Sequence, residues 1–176
     1  RIQRYIEVLE QKSMRLKTLT EDVVEASKIT SGNIKLECMK LDFTELVLQT
    51  SAEYEEKFEE RNLTEIQHLP KEKALVYIDG RRTWRILANL YNNAAKYAMT
   101  GSRIYTDLKV TEGAVIFSIK NISEQPLNIN ADQLTERFIR GDISRSTEGS
   151  GLGLSIAQTL TEMQKGKFEL YLDGDL

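Results

Sequence analysis

The chain opens on a seven-residue repeat of apolar positions. Between Arg1 and Thr30 neither Pro nor Gly occurs, and Ile2, Leu9, Leu16 and Val23 recur every seventh residue, with Tyr5, Leu19 and Ala26 at the companion positions. That pattern predicts one long amphipathic helix of bundle or coiled-coil type, although Lys12 breaks the companion series. A lone helix cannot bury such a stripe; it requires a second helix, another copy of the chain or both, unless it lies on its own domain. Ser31-Gly32-Asn33 supplies the C-terminal glycine stop.

Beyond it the period changes repeatedly. Asp42, with Thr44 and Glu45, reads as a helix start, followed by Phe43, Leu46, Val47, Thr50, Tyr54 and Phe58 at helical spacing, with Glu53 to Glu60 as the solvated face. Leu63 to Gln67 and Ala74 to Ile78 read as short strands about a turn centred on Pro70. Asp79 caps a further helix to about Ala98, with Trp84, Leu87, Leu90, Tyr91 and Ala94 as its buried face. Arg103 to Val110 and Ala114 to Lys120 form a predicted hairpin about Glu112-Gly113. A polar run from Asn121 leads through a short helical segment, Asp132 to Phe138, into a loop carrying Arg140 and Arg145. Leu152 to Met163 is a predicted helix ended by Lys165-Gly166, and Phe168 to Leu172 a predicted strand.

Two places carry candidate chemistry. On the Asp79-capped helix, Arg85, Asn89, Asn93 and Lys96 fall at i, i+4, i+8 and i+11, so a cation, two neutral amides and a second cation share one stripe. A merely solvated face would carry Glu with Lys, and Asn is a poor helix former, so two aligned asparagines point to a role for which helix stability is given up. The second place is Glu148 to Ala157. Gly149, Gly151 and Gly153 alternate there with small or aliphatic residues just ahead of a helix, a pattern that lets backbone N–H groups approach an anion, although Gly-rich turns before helices are also common structural features.

Composition narrows the classes. The 176 residues are 40% hydrophobic and 29% charged, enough for one domain with an accessory element, and the formal net charge of −3 argues against a nucleic-acid footprint. The single cysteine, Cys38, excludes a disulfide framework or Cys-rich zinc site and is read as inert. No apolar run approaches a membrane span, and no signal-peptide pattern stands at the start. His68, the one histidine, precedes Leu69-Pro70 near a strand end and is read as incidental. The chain starts inside a helical pattern and stops at a turn, Asp173 to Leu176, and is therefore read as a fragment.

Three separated pieces resemble one family in order and spacing. Asn89-Leu90-Tyr91-Asn92-Asn93-Ala94-Ala95-Lys96-Tyr97 resembles the N box of the sensor histidine kinases of two-component systems. Glu136-Arg137-Phe138-Ile139-Arg140-Gly141-Asp142 resembles their F box, and Gly149-Ser150-Gly151-Leu152-Gly153-Leu154 their second glycine box. Residues 1–32 resemble the second helix of the family's dimerisation and phosphotransfer hairpin, with the first helix outside this chain. Residues 40–176 resemble the catalytic ATP-binding domain, its last strand truncated.

The resemblance implies an α+β fold, a two-layer α/β sandwich with helices on one face of a mixed sheet, preceded by the bundle helix. It implies ATP and Mg²⁺ as ligands: Asn93 toward the metal, Asn89 beside it, Lys96 toward a phosphate oxygen and Tyr97 against adenine. Ser150, Gly151, Leu152, Gly153 and Leu154 would line the phosphates, and Arg140 and Arg145 would reach the γ-phosphate. Asn121 stands where the family has an Asp that accepts from the adenine amino group, and the glycines that normally follow are missing, so that contact would lack charge assistance. No phosphoacceptor His is present in the family's context, so the chain alone is expected to bind ATP without autophosphorylating, and the general base is expected on the missing helix. Implied partners are a second copy of the chain through a four-helix bundle and the receiver domain of a response regulator; the location is cytoplasmic, with any membrane attachment through absent segments. Two other readings stay open: a degenerate nucleotide-binding scaffold or switch, and the gyrase, heat-shock-chaperone, mismatch-repair or anti-sigma branches of the same ATPase fold, against which the heptad helix speaks.

Overall fold

In the computed structural model, which describes residues 1–124 and 152–173, the opening repeat forms one helix, α1 (Ile2–Thr30). It stops as predicted: Gly32 takes φ +69°, and Gly32 N and Asn33 N donate to the carbonyls of Ile29 and Lys28 at 3.1 and 3.2 Å. The seam residues Ile2, Leu9, Leu16 and Val23 remain 57–76% exposed. The companion positions Leu19 and Ala26 instead turn, with Asp22, Glu25 and Ile29, toward the rest of the chain. Two faces therefore coexist on one helix, and only the C-terminal half of the second is used within the chain.

The domain proper begins with β1 (Met39–Asp42), a strand too short to announce itself in the sequence, and continues into α2 (Phe43–Glu60). Asp42 caps α2, its Oδ1 accepting from Thr44 N at 3.0 Å. Then come β2 (Thr64–His68), β3 (Leu75–Ile78), α3 (Gly80–Tyr97), β4 (Arg103–Val110) and β5 (Val115–Asn121). The last helix, α4, spans Gly153–Met163. Asn62, at φ 53°, lets the chain leave α2, and Gly101, at φ +78°, turns it from α3 into β4.

The sheet is mixed, as expected. β2 pairs parallel with β4 and β4 antiparallel with β5, while β1 and β3 form a separate antiparallel pair in which Met39 faces Ile78. Alternation along β4 sets the layers: Ile104, Thr106 and Leu108 point inward and are buried, whereas Tyr105 and Lys109 face out. Two clusters fill the space beneath the helices. Phe58, Leu63, Tyr91, Ala94, Ala98 and Ile104 form one, and Val47, Ala74, Leu87 and Leu108 the other.

One expected strand is not observed. Phe168 to Leu172 carries no ladder among the described residues; its alternating Phe168, Leu170 and Leu172 instead pack on Leu154 of α4, where Leu90 of α3 joins them. Period-two alternation selects which side chains are buried, but it does not guarantee a neighbouring strand edge to pair with. The segment Asp132 to Phe138, predicted as helix, lies outside the described residues.

Candidate functional site

The polar stripe belongs to a helix that is fixed at both ends. At the start of α3, the buried Asp79 accepts from Arg82 N at 3.0 Å and from Glu37 N at 2.8 Å, while its own N–H donates to Gln164 Oε1 at 2.8 Å. Thr83 Oγ1 also reaches Gln164 Oε1, at 3.3 Å. Gln164 follows α4, so the end of α4 sits at the start of α3. At the other end of α4, a Cβ placed on Gly153 would lie 3.4 Å from Asn89 Oδ1. The two helices thus run antiparallel, and the start of α4 faces the middle of the stripe.

At the far end of α3 every terminal carbonyl has a partner. Ala94 O accepts from Ala98 N at 3.0 Å, Ala95 O and Lys96 O from Arg61 Nη1 at 2.7 and 2.6 Å, and Tyr97 O from Glu124 N at 2.9 Å. Helix ends normally leave these four acceptors to water. Here a guanidinium from the end of α2 and the backbone beyond β5 take them.

A carboxylate from the sheet holds the side of α3 that faces it. Glu65 Oε1 accepts from Tyr91 Oη and Thr106 Oγ1, each at 2.7 Å, and Glu65 Oε2 accepts from Ser51 Oγ at 2.5 Å. Burial, with the Glu65 carboxylate adding to it, pushes the Tyr91 phenol well above its ordinary range, so it remains a neutral donor at pH 7. Tyr54, whose hydroxyl donates to Ala88 O at 2.9 Å, is pushed up to about 12 by burial and then by the charge of Glu53. Tyr91 alternates with Asn89 and Asn93 along α3, so the clamp on one face sets the direction of the other.

The stripe itself divides. Arg85 turns away from the glycine side and toward α1: its Nη2 meets Asp22 in a very short contact, and its Nε donates to Glu25 Oε2 at 2.7 Å. Burial opposes the charge on Arg85, but the hydrogen bond and charge of Glu25, joined by Asp22, outweigh it and hold the guanidinium more firmly protonated. Asn89 is buried, and its Nδ2 has no hydrogen-bond partner among the described residues. Asn93, two turns beyond Arg85, is half-buried; Lys96 is exposed and Tyr97 half-buried.

The opposite wall begins where α4 begins. Its N-terminal residue Leu152 offers no side-chain cap, and the first helical bond is Ile156 N to Leu152 O at 2.9 Å. The N–H groups of Gly153, Leu154 and Ser155 precede that bond, at the positive end of the helix dipole. Leu154 departs from a direct ligand-lining role for its side chain: it is 7% exposed and packs against Leu90, so only its backbone is left for a ligand.

Asn121 ends β5 and is exposed. The chain after it is stitched to the end of α3, Met99 N donating to Ile122 O at 2.8 Å, Ala98 bridging Ser123, and Glu124 N reaching Tyr97 O. Asn121 and Tyr97 are therefore brought to one end of the site. Ser150, Gly151, Arg140 and Arg145, together with the rest of the F-box segment, lie outside the described residues. His68 is on the outer face of the sheet, its Nδ1 2.6 Å from Asp107 Oδ1, with Lys120 Nζ 3.2 Å from Asp107 Oδ2. Arg61, Glu65 and Gln164 were not legible as site residues, since each acts through partners distant in the sequence and no local motif marks them.

Comparison with known proteins matches residues 78–174 to the histidine kinase-, DNA gyrase B- and HSP90-like ATPase family. The chain is 30% identical over 176 residues to the histidine protein kinase SaeS of Staphylococcus aureus, covering 97% of this chain and 49% of that protein. It spans less than half the length of the curated relatives it matches. Among solved structures, the Acinetobacter baumannii histidine kinase AdeS superposes with TM-score 0.76 at 22% identity, over 97% of this chain and 78% of that one. The histidine kinase ThkA, in complex with the response regulator protein TrrA, superposes with TM-score 0.67 at 23% identity, over 94% and 45% of the two chains. These two structural likenesses establish the fold.

Proposed function

The chain belongs to the histidine kinase-, DNA gyrase B- and HSP90-like ATPase family, and on that premise we propose that it is the ATP-binding catalytic portion of a sensor histidine kinase and how it holds and presents its nucleotide. ATP lies between the middle and end of α3 and the start of α4. The observation that carries this is the pair Asn89 and Gly153. A buried amide nitrogen without a partner among the described residues is costly by roughly 1–3 kcal/mol, and here it stands against a glycine at the start of a helix whose N-cap, Leu152, makes no side-chain cap hydrogen bond. A polyphosphate would satisfy the amide and lie at the positive end of the α4 dipole together.

In this reading Gly151, Leu152, Gly153 and Leu154 offer backbone N–H groups, Ser150 a hydroxyl, and Lys96 a point charge to the phosphates. Asn89 and Asn93 face them from α3, with Asn93 the metal ligand. Bound Mg²⁺ would supply neutralisation of phosphate charge. No group of three or more His, Cys, Asp or Glu stands together among the described residues, which fits an ion held largely by phosphate oxygens and water with one neutral amide. Tyr97 and Asn121 receive the adenine, Asn121 through its carbonyl oxygen. Arg140 and Arg145 approach the γ-phosphate.

The protein's share in transfer is positioning and charge stabilisation, not covalent chemistry. The acceptor is a histidine on a helix outside this chain, so the chain by itself binds Mg-ATP without becoming phosphorylated. The exposed seam of α1 pairs with a second copy and with that helix, and the phosphoryl group passes on to a response-regulator receiver, a role supported by the ThkA and TrrA complex. No helix among the described residues is long and apolar enough to cross a membrane. We place the domain on the cytoplasmic side of a membrane-bound sensor.

The test is a titration of the chain with Mg-ATP, followed by addition of the upstream His-bearing helix and assay for acid-labile phosphate. Binding by the wild type, loss of Mg²⁺-dependent binding in Asn93→Ala, and phosphorylation only with the added helix are expected. Equal binding by wild type and Asn93→Ala would remove the metal assignment; binding without transfer would favour a nucleotide-binding scaffold.

A further inference from the structure

Arg61 lies at the end of α2 and, of the residues assigned above to the ligand, touches only the backbone carbonyl of Lys96, yet its guanidinium spans the two chain segments that meet at the adenine end. Its Nη1 donates to Ala95 O and Lys96 O at 2.7 and 2.6 Å, in the last turn of α3. Its Nη2 donates to Glu124 Oε2 at 2.6 Å and to Thr100 Oγ1 at 3.2 Å. The backbone on either side forms a short antiparallel ribbon: Glu124 N to Tyr97 O at 2.9 Å, the Ala98 to Ser123 bridge, and Met99 N to Ile122 O at 2.8 Å. Beyond it the first segment turns at Thr100 and Gly101, and Asn121 pairs with Ile104 of β4. Arg61 therefore holds one strand of the ribbon at Thr100 and the other at Glu124, and it fixes the helix turn that carries Lys96 and Tyr97.

We propose that Arg61 is a specificity-determining positioning residue for the purine, setting the spacing between Tyr97 and the Asn121 strand end. The inference rests on the nucleotide reading above. An exposed arginine at a helix end ordinarily needs no more than water, but this one makes four hydrogen bonds to two non-adjacent segments and is only 24% exposed. The planar fork matters, because a lysine at the same place offers a point charge and cannot bridge the carbonyl pair and the carboxylate at fixed separation. Asn121, unlike an Asp, carries both an acceptor and a donor on its amide, so only surroundings that hold its carbonyl oxygen toward the base let it tell the adenine amino group from the guanine carbonyl. A loosened ribbon should then cost discrimination before it costs phosphate binding.

The experiment measures affinities of the whole chain for Mg-ATP and Mg-GTP in wild type, Arg61→Gln, Arg61→Lys and Glu124→Gln, alongside thermal melts. The ratio of the two affinities is insensitive to the fraction of unfolded protein, so a purely structural role would leave it unchanged. We expect the ATP preference to fall about tenfold in Arg61→Gln, nearly as far in Arg61→Lys, and by a smaller factor in Glu124→Gln. Should Arg61→Gln not fold, Glu124→Gln, whose exposed side chain is replaced isosterically, decides. An unchanged ratio in the variants of a wild type that prefers ATP overturns the role of Arg61 alone. A wild type that binds neither nucleotide overturns the nucleotide reading, and this inference with it.

Discussion

Gly153 faces Asn89 so closely that one added methyl group would sit 3.4 Å from the amide oxygen. The two residues belong to different walls, and it is at this point that the start of α4 meets the asparagine stripe. Gly153→Ala should therefore keep the fold, since the substitution removes a helix-terminal glycine and costs or gains less than about 1 kcal/mol. Mg-ATP affinity should nevertheless drop at least tenfold, about 1.4 kcal/mol. A melt and a nucleotide titration on the same sample check both halves; unchanged affinity would mean the nucleotide passes elsewhere.

Asn89→Leu should act in opposite directions on stability and binding. It exchanges a buried amide, whose Nδ2 has no partner among the described residues, for an apolar group of similar size, and removing such a group recovers roughly 1–3 kcal/mol. Urea denaturation without nucleotide should show the variant as stable as the wild type or more so, while ATP no longer raises its midpoint. A clear loss of stability in the nucleotide-free protein would indicate that the amide has a structural partner.

Arg85→Met should detach α1 from the domain without unfolding the domain. The guanidinium bridges Asp22 and Glu25, with Arg82 Nη1 reaching only Glu25, at 3.6 Å, and truncating one side of a largely buried charge cluster costs about 3 kcal/mol where it is well desolvated. That loss should fall on the docking of α1. Hydrogen exchange should quicken in Leu19 to Ile29 while α3 amides stay protected, and higher salt should change the variant less than the wild type.

The Asp107 carboxylate gives a pH signature on the sheet face remote from the nucleotide. The hydrogen bond from His68 holds its pKa below the usual carboxylate value; burial opposes it, and the hydrogen bond and charge of Lys120 add to the lowering. Because the folded value is the lower one, the stabilisation is fully present above about pH 4, the ordinary Asp range, and is lost as pH falls through the folded value. Asp107→Asn should be less stable than wild type at neutral pH, with the difference closing as the solution is acidified below that range. A difference constant with pH would show that the pairing contributes nothing to stability.

What could be read from the sequence was whatever local chemistry enforces. The period of α1, the Asp42 and Asp79 caps and the alternation of β4 and β5 each follow from residues a few positions apart, and each is observed. The asparagine stripe and the glycine run were also visible, because their oddity is local. What remained hidden depends on distant partners. β1 exists because β3 pairs with it, Phe168, Leu170 and Leu172 are half-buried without a ladder among the described residues, and Arg85 looked equivalent to Lys96 until Asp22 and Glu25 were placed beside it. Helical spacing says which residues share a side, not what stands opposite.

The double fixation of α3 has a thermodynamic consequence. Asp79 and Gln164 hold its first turn, Arg61 and Glu124 its last, and Glu65 grips Tyr91 between them. The asparagine wall is thus complete before any ligand arrives, and no conformational entropy has to be surrendered there on association. Its amides should open only with the whole domain, which makes α3 the rigid ruler against which everything else at this site adjusts.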